Sequence, residues 1–99
     1  MNVIWSPLAI ERLAEITDYI AQDNPSAAEK WVQNIFKRVE HLQRFPEIGR
    51  LVPELSRPDI REILFKNYRI IYRIESQQLS ILTIRHGKQL LSGDDLRQS

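Results

Sequence analysis

The stretch that decides the fold is residues 68–75, YRIIYRIE. Tyrosine and isoleucine favour β-strands, so this run predicts a strand. Successive side chains of a strand point to opposite faces. One face carries Tyr68, Ile70, Tyr72 and Ile74, and the other carries Arg69, Ile71 and Arg73. We assign the tyrosine-isoleucine face to the core and expect the arginine face to lie open.

Two further strand patterns flank this segment. Residues 60–65 and 79–85 alternate loosely between apolar and polar side chains, and residues 66–67 and 76–78 have the lengths of hairpin connections. Consecutive strands joined by short turns pair antiparallel. Residues 60–86 therefore predict a three-stranded antiparallel meander.

Two amphipathic helices are predicted before the meander. Apolar side chains recur at steps of three and four in residues 7–23, and residues 25–44 carry a broader apolar stripe. Ser6 and Asn24 each precede a proline and are the expected N-caps. Ser26, followed three residues later by a glutamate, offers an alternative start for the second helix.

The order of elements predicts the fold class. Residues 1–5 read as a short strand, so the chain runs β-α-α-β-β-β: an α+β fold whose antiparallel sheet carries a helical hairpin on one face. Residues 46–59 form a long loop punctuated by proline and glycine, and residues 92–99 read as a frayed tail. We expect residues 1–99 to form a single domain.

Composition narrows the possible classes of function. The 99 residues are 42% hydrophobic and include no cysteine, which suits a small folded domain without disulfides or cysteine-held zinc. The two histidines lie far apart in the sequence, and no glycine-rich phosphate loop is present, so we expect no metal and no cofactor. Without a signal peptide or an apolar run of about 20 residues, we expect a cytoplasmic protein without membrane attachment.

Basic residues concentrate in the second half of the chain. Between residues 57 and 88, seven basic side chains accompany three acidic ones. The candidate binding residues are Arg61, Arg69, Arg73, Arg85, His86 and Lys88. Arginines on neighbouring strands could together bind phosphate or carboxylate groups. The alternative is a solvated strand face with ordinary cross-strand ion pairs and a structural histidine.

Four segments carry a resemblance to a known family. They are WSPLAIERLAEITDYIAQDNPSAAEKWV (5–32), LQRFPEIGRLVPEL (42–55), IREILFKNYRIIYRIE (60–75) and ILTIRHGKQ (81–89). Together they resemble the ParE/RelE superfamily of type II bacterial toxins, over about residues 3–89. The resemblance implies the α+β toxin fold and a cognate antitoxin, ParD-like or a related DNA-binding protein, in a hetero-oligomeric complex. It also implies growth arrest and a role in plasmid or chromosome maintenance.

The resemblance to RelE-like toxins implies a ribosome-dependent mRNA endonuclease. Arg69 matches the arginine that stabilises the scissile phosphate in that group. The lysines expected on the preceding strand fall near Glu62 and Leu64, and a further arginine falls at Gln89. A second nuclease arrangement in the superfamily uses a glutamate, an arginine and a histidine. Arg69 and His86 would fill two of those roles, and Glu47 or Glu54 could supply the glutamate.

The resemblance to ParE-like toxins implies a different activity. These proteins bind DNA gyrase and hold it with cleaved DNA, which requires a protein-binding surface and no catalytic residues of the toxin's own. Because several nuclease groups are missing, we favour this interpretation. The ribosome and its mRNA remain the alternative target, and a small interaction domain without toxicity is the third reading.

Overall fold

The computed structural model describes residues 1–87, 91 and 94–96. Seven main elements and two short 3₁₀ turns make up this part of the chain. They are β1 (Asn2–Trp5), α1 (Pro7–Asp23), α2 (Pro25–Arg44), a 3₁₀ turn (Pro46–Ile48), β2 (Arg50–Leu51), β3 (Ile60–Phe65), β4 (Tyr68–Ile74), β5 (Gln78–His86) and a second 3₁₀ turn (Asp94–Leu96).

The strands form one five-stranded sheet in the order β1-β5-β4-β3-β2. The predicted meander is present, with β3, β4 and β5 paired antiparallel. This confirms the α+β class with a mostly antiparallel sheet. Two details differ from the prediction: β1 pairs with β5 in parallel, and the two-residue β2 adds a fifth strand beside β3.

Side-chain caps set the start of both helices. Ser6 accepts a hydrogen bond from the amide of Ala9 at 3.0 Å, and its hydroxyl donates to the Leu82 carbonyl at 2.8 Å. Asn24 accepts from the amide of Ala27 at 3.1 Å, so α2 begins at Pro25 and the alternative start at Ser26 is not used. Ser6 thereby links α1 to β5 as well as capping the helix.

The main core lies between the helical hairpin and one face of the sheet. The fully or nearly buried members are Ala9, Trp31, Ile35, Val39 and Leu42 from the helices and Phe65, Ile70, Tyr72, Leu79, Ile81 and Ile84 from the strands. Tyr68 and Ile74 pack against this cluster. The predicted division of β4 into a core face and an arginine face is therefore confirmed.

The opposite face of the sheet is covered, and the prediction that it lies open was wrong. A second cluster buries Val52, Ile60, Ile71 and Leu82, with Leu55, Leu91 and Leu96 packed against it. The register between β4 and β5 shifts at Leu82, which lies between the partners of Ile71 and Tyr72. The Leu82 side chain belongs to this second cluster. The loop after β2 and residues near the C-terminus bury apolar surface here, which the strand pattern alone did not reveal.

The predicted frayed tail needs a correction over residues 94–96. These residues form a 3₁₀ turn, and Asp95 is buried with only 1% of its surface exposed. The turn is anchored because Asp95 faces Arg85 and Thr83 of β5. The rest of the predicted tail lies outside the described residues.

Candidate functional site

An arginine held between two carboxylates lies at the centre of the covered face. The Arg69 Nε donates to Glu62 Oε1 at 2.7 Å, and its two Nη atoms donate to the carboxylate oxygens of Glu54, each at 2.8 Å. Glu62 also accepts from Nε of Arg50 at 2.5 Å. Arg69 and Glu62 are 4% and 1% exposed, so this is a buried ion-pair network.

Each member of the network comes from a different element. Arg69 lies on β4, Glu62 on β3, Arg50 on β2, and Glu54 in the loop that follows β2. Glu54 also accepts from the backbone amide of Leu91 at 3.3 Å. The network therefore ties the sheet to both segments that cover it.

The pairing of Arg69 with Glu54 shifts the pKa of both groups. The hydrogen bonds from Arg69 lower the pKa of Glu54 to about 2, against the smaller opposing effect of desolvation. In return, hydrogen bonding to Glu54, followed by the interactions with Glu62, raises the pKa of the Arg69 guanidinium. Arg69 and Glu54 therefore both stay charged at neutral pH. Their bidentate hydrogen bonding is the stronger and more directional form of an arginine–carboxylate ion pair.

Arg69 is consequently not placed as the sequence predicted. An arginine that binds a phosphate must present its N–H donors to solvent. In Arg69, by contrast, Nε donates to Glu62 and both Nη atoms donate to Glu54. It is buried because the loop supplies Glu54 and the neighbouring strand supplies Glu62. The expectation of an outward-facing Arg69 was wrong.

Two other candidate arginines share this covered face. Arg73 Nη2 approaches the Leu96 carbonyl at 3.4 Å. Arg85 Nη1 lies 3.6 Å from Asp95. Both side chains are partly buried and contact the 3₁₀ turn Asp94–Leu96. Arg73 and Arg85 therefore help to anchor this turn on the sheet.

The remaining candidates lie elsewhere. Arg61 points to the other face of β3, where its Nη1 donates to the Gly49 carbonyl at 3.0 Å. The half-buried His86 ring packs edge-on against Tyr68, with the ring centroids 5.9 Å apart. Lys88 lies outside the described residues. The structure thus brings Arg69, Arg73 and Arg85 onto one face and separates Arg61 and His86 from them.

A basic groove, which the sequence did not predict, lies between α2 and the β3 edge of the sheet. It encloses about 540 Å³ and is lined by Asn34, Lys37, Arg38, His41, Leu42, Ile48, Gly49, Arg50, Glu62, Ile63 and Leu64. The signal was present in α2, where Lys37, Arg38 and His41 recur at helical spacing. The strand arginines are denser in the sequence, so the sequence pattern points to them first.

Neither a cluster of metal ligands nor a membrane-spanning helix is found in the described part of the chain. Among those residues, no three metal-ligating side chains gather closely enough to hold an ion. Neither α1 nor α2 is both long enough and apolar enough to cross a membrane, within the same residues. What the geometry offers is a buried charge network and a basic groove.

Comparison with known proteins points to one family. The family described as ParE toxin of type II toxin-antitoxin system, parDE, matches residues 3–91. Y4kP, a candidate toxin of Sinorhizobium fredii, is 38% identical over 90 residues, covering 89% of this chain and 90% of the relative. Toxin RelE2 of Caulobacter vibrioides is 32% identical over 90 residues, covering 90% of this chain and 98% of the relative.

A solved structure agrees in fold. A chain from the chromosomal ParDE toxin-antitoxin system of P. aeruginosa superposes with a TM-score of 0.72 and 26% identity. The match covers 87% of this chain and 95% of the other. With two helices over a five-stranded, mostly antiparallel sheet and a family match along almost its whole length, the chain belongs to the ParE toxin family of type II toxin-antitoxin systems, within the ParE/RelE superfamily.

Proposed function

We propose that this toxin inhibits DNA gyrase by binding it, as the ParE-like interpretation implies, and that it does not cleave RNA. The observation that carries the proposal is the engagement of Arg69. A RelE-like nuclease needs this arginine to stabilise the scissile phosphate of the mRNA. Here its fork is bound by Glu54 and Glu62 inside the protein.

The neighbouring positions support the same conclusion. Where the nuclease pattern expects lysines on the preceding strand, β3 carries Glu62 and Leu64. Glu62 is buried and ion-paired with Arg50 and Arg69, and Leu64 is 47% exposed. A carboxylate and an alkyl side chain can neither donate a proton to a leaving group at neutral pH nor neutralise a phosphate.

A toxin of a type II system has a cognate antitoxin, and we propose that the two form a hetero-oligomeric complex. Neutralisation requires only that the antitoxin cover the surface that meets the target or prevent the toxin from reaching it. The basic groove is a concave surface that could serve for such contacts.

The second candidate is a ribosome-dependent endonuclease. The observation that favours this candidate is the name of one relative, Toxin RelE2, which is 32% identical to this chain. In this reading His86 would move a proton during cleavage. Its half-buried ring packs against Tyr68, the residue that pairs with His86 across β4 and β5.

One pair of assays separates the candidates. Purified toxin is added to a gyrase supercoiling and DNA-cleavage reaction, and in parallel to a translation reaction whose mRNA is mapped for cuts. We expect lost supercoiling and accumulated cleaved plasmid, with intact mRNA. Cut mRNA with unaffected gyrase would overturn the proposal.

A matched pair of variants sharpens the result. His86→Gln removes the imidazole that the nuclease hypothesis requires, and Glu11→Gln is a control at an exposed side chain of α1. We expect both variants to inhibit gyrase within about twofold of the parent. If mRNA cuts appear with the parent and are lost only in His86→Gln, the nuclease reading replaces ours.

A further inference from the structure

We propose that the outer edge of β1 pairs with the β1 edge of a second copy of this chain, which joins two five-stranded sheets into one about a two-fold axis. This inference goes beyond the inhibition of a target. It concerns the opposite edge of the sheet from β2 and β3. The backbone of β1, the side chains around it and the symmetry of the pairing each support it.

The outer edge of β1 carries unpaired backbone groups. The amides of Asn2 and Ser6 donate to carbonyls of the neighbouring segment 77–81 at 3.3 and 2.9 Å, so the even-numbered residues face β5. Backbone groups of successive strand residues point to opposite sides, and those of Val3 and Trp5 therefore point away from the sheet. Within the described chain, no strand lies on that side and neither residue has a hydrogen-bond partner there.

The sequence of β1 does nothing to prevent pairing at this edge. Soluble proteins commonly protect an exposed edge strand with charged side chains, proline or a bulge. β1 reads NVIW, without a charge or a proline, and it pairs with β5 without a register shift. At the other edge of the sheet, β2 is only two residues long and begins with Arg50. The contrast points to β1 as the edge that another strand covers.

Apolar side chains flank this edge on both faces of the sheet. On the helical face, Val3 and Trp5 pack against the main core, and the half-exposed ring of Phe36 lies 5.6 Å from the Trp5 ring, centroid to centroid. On the opposite face, Ile4 is 45% exposed. None of these side chains is charged, so the surface favours an uncharged, apolar partner. A second copy presents the same surface, as a two-fold interface requires.

The backbone selects one register for the pairing. Two antiparallel β1 strands can pair about Ile4, which places Val3 opposite Trp5 of the second copy. Each such pair exchanges both N–H···O bonds, and the two Ile4 side chains meet on the axis. Pairing centred on Trp5 would oppose Val3 to Pro7, which has no N–H to donate. Pairing centred on Val3 would need the Met1 carbonyl, which already accepts a side-chain hydrogen bond at 3.0 Å.

A second copy fits this edge better than a flexible peptide does. Because the edge offers the backbone groups of Val3 and Trp5 alone, a disordered peptide would gain few hydrogen bonds for the cost of ordering its chain. The β1 strand of a second copy is already extended and held by β5, so it loses much less conformational entropy. The contact is small, and we therefore expect a weak dimer that forms reversibly.

Sedimentation of the whole protein at concentrations from ~5 to ~500 µM tests for this weak dimer. We expect monomers at the low end and dimers at the high end. Ile4→Lys places two like charges together on the axis and should weaken dimerisation at least tenfold. Ile10→Lys is the control, because Ile10 is similarly exposed, at 55%, on α1. Protein that stays monomeric throughout, or equal weakening by both variants, would overturn the proposal.

Mixing two charge variants tests the two-fold axis. Ile4→Lys and Ile4→Glu should each stay largely monomeric. Their equimolar mixture should associate at least tenfold more tightly than either variant alone, because opposite charges then meet across the axis. Association of the mixture also shows that both variants are folded. A mixture that associates no better than its components would refute pairing about Ile4.

Cross-linking tests the register. The chain has no cysteine, so an introduced thiol can react only with its copy. The Cα atoms of a close antiparallel pair lie about 4.5 Å apart, within disulfide range, so Ile4→Cys should oxidise rapidly to a covalent dimer. Asn2→Cys should cross-link at least tenfold more slowly, because the two copies of residue 2 would lie about 13 Å apart along the strands. Comparable rates for both variants would contradict the assigned register.

Amide hydrogen exchange separates strand pairing from contact between side chains alone. Exchange at the Val3 and Trp5 amides should slow as the concentration rises, and exchange at the Leu64 amide, on β3, should not change. Slowing at Leu64 in place of Val3 and Trp5 would assign the dimer to the other edge and exclude pairing through β1. Since neither gyrase nor ribosome is present, the result is independent of the test of the proposed function.

Discussion

Gly49 brings the turn after α2 against the buried ring of Tyr72. The Tyr72 hydroxyl donates to the Pro46 carbonyl at 2.6 Å and accepts from the Gly49 amide at 3.0 Å. A Cβ on Gly49 would lie 2.7 Å from the Glu62 carbonyl oxygen and closer still to the Tyr72 hydroxyl. We expect Gly49→Ala to lower the free energy of unfolding by about 1–3 kcal/mol, because the turn must move away. Urea denaturation measures this loss.

Gly87→Ala is the matched control for that substitution. Its added Cβ would lie 3.3 Å from the Asn67 carbonyl oxygen, and the residue is exposed. We expect a loss below about 1 kcal/mol. Equal losses in the two variants would show that crowding at Tyr72 is not the cause.

Glu54 makes the stability of the fold depend on pH. Because Arg69 lowers the folded-state pKa of Glu54 to about 2 from an ordinary value of 4.5, the ionised form stabilises the protein above pH 4.5. This contribution is lost as the pH falls from about 4.5 to about 2. We expect Glu54→Gln to cost about 1–2 kcal/mol at pH 7, allowing for partial solvent screening, and to cost little near pH 2.

Urea unfolding of both proteins across this pH range checks the expectation, with Glu47→Gln as the control in the preceding turn. The control should differ from the parent by less than about 0.5 kcal/mol at pH 7. A Glu54→Gln cost that stays constant down to pH 2 would contradict the role assigned to the ion pair.

For single residues, the sequence predicted the sheet face on which a side chain lies better than it predicted whether that side chain is exposed. The period of two placed Arg69 on the correct face of β4, opposite Tyr72. It could not show that Glu54, fifteen residues earlier in a loop without periodicity, would return to pair with it. Burial of a charge depends on the partner, and the partner was not local in the sequence.

At the scale of the elements, the helix caps are the features that the sequence predicted best. Asn24 caps α2 alone, whereas Ser6 caps α1 and donates to the Leu82 carbonyl from a buried position. We therefore expect Asn24→Ala to cost about 1 kcal/mol and Ser6→Ala about 2 kcal/mol, measured by urea unfolding. Ser26→Ala, at the unused alternative cap, should change stability by less than about 0.5 kcal/mol.

The elements that the sequence missed are those without a periodic signal. β2 is two residues long, too short for a pattern, and it is defined only by its pairing with β3. The 3₁₀ turn Asp94–Leu96 falls in a polar stretch, and Asp95 is held there by contacts with β5. Long-range contacts create both features, so local propensity could not indicate them.

The whole molecule has a second apolar cluster besides the main core, on the other side of one sheet. Leu91 and Leu96 cover this second cluster. We expect the double variant Leu91→Ser and Leu96→Ser to lose about 1–3 kcal/mol of stability, because apolar cover is removed from Ile71 and Leu82. Urea unfolding measures the loss. The exposed Leu51→Ser is the control, and a loss as large in that variant would contradict the covering role.

The parallel pairing of β1 with β5 has a consequence for the time at which the protein folds. Residues 2–5 have their partners at residues 78–81, so β1 must wait until the first half of β5 has been made. At about 5–20 residues per second, a ribosome needs several seconds to supply those partners. The sheet is therefore completed only after residue 81 has been made, and an activity that requires the intact sheet does not begin on a nascent chain shorter than this.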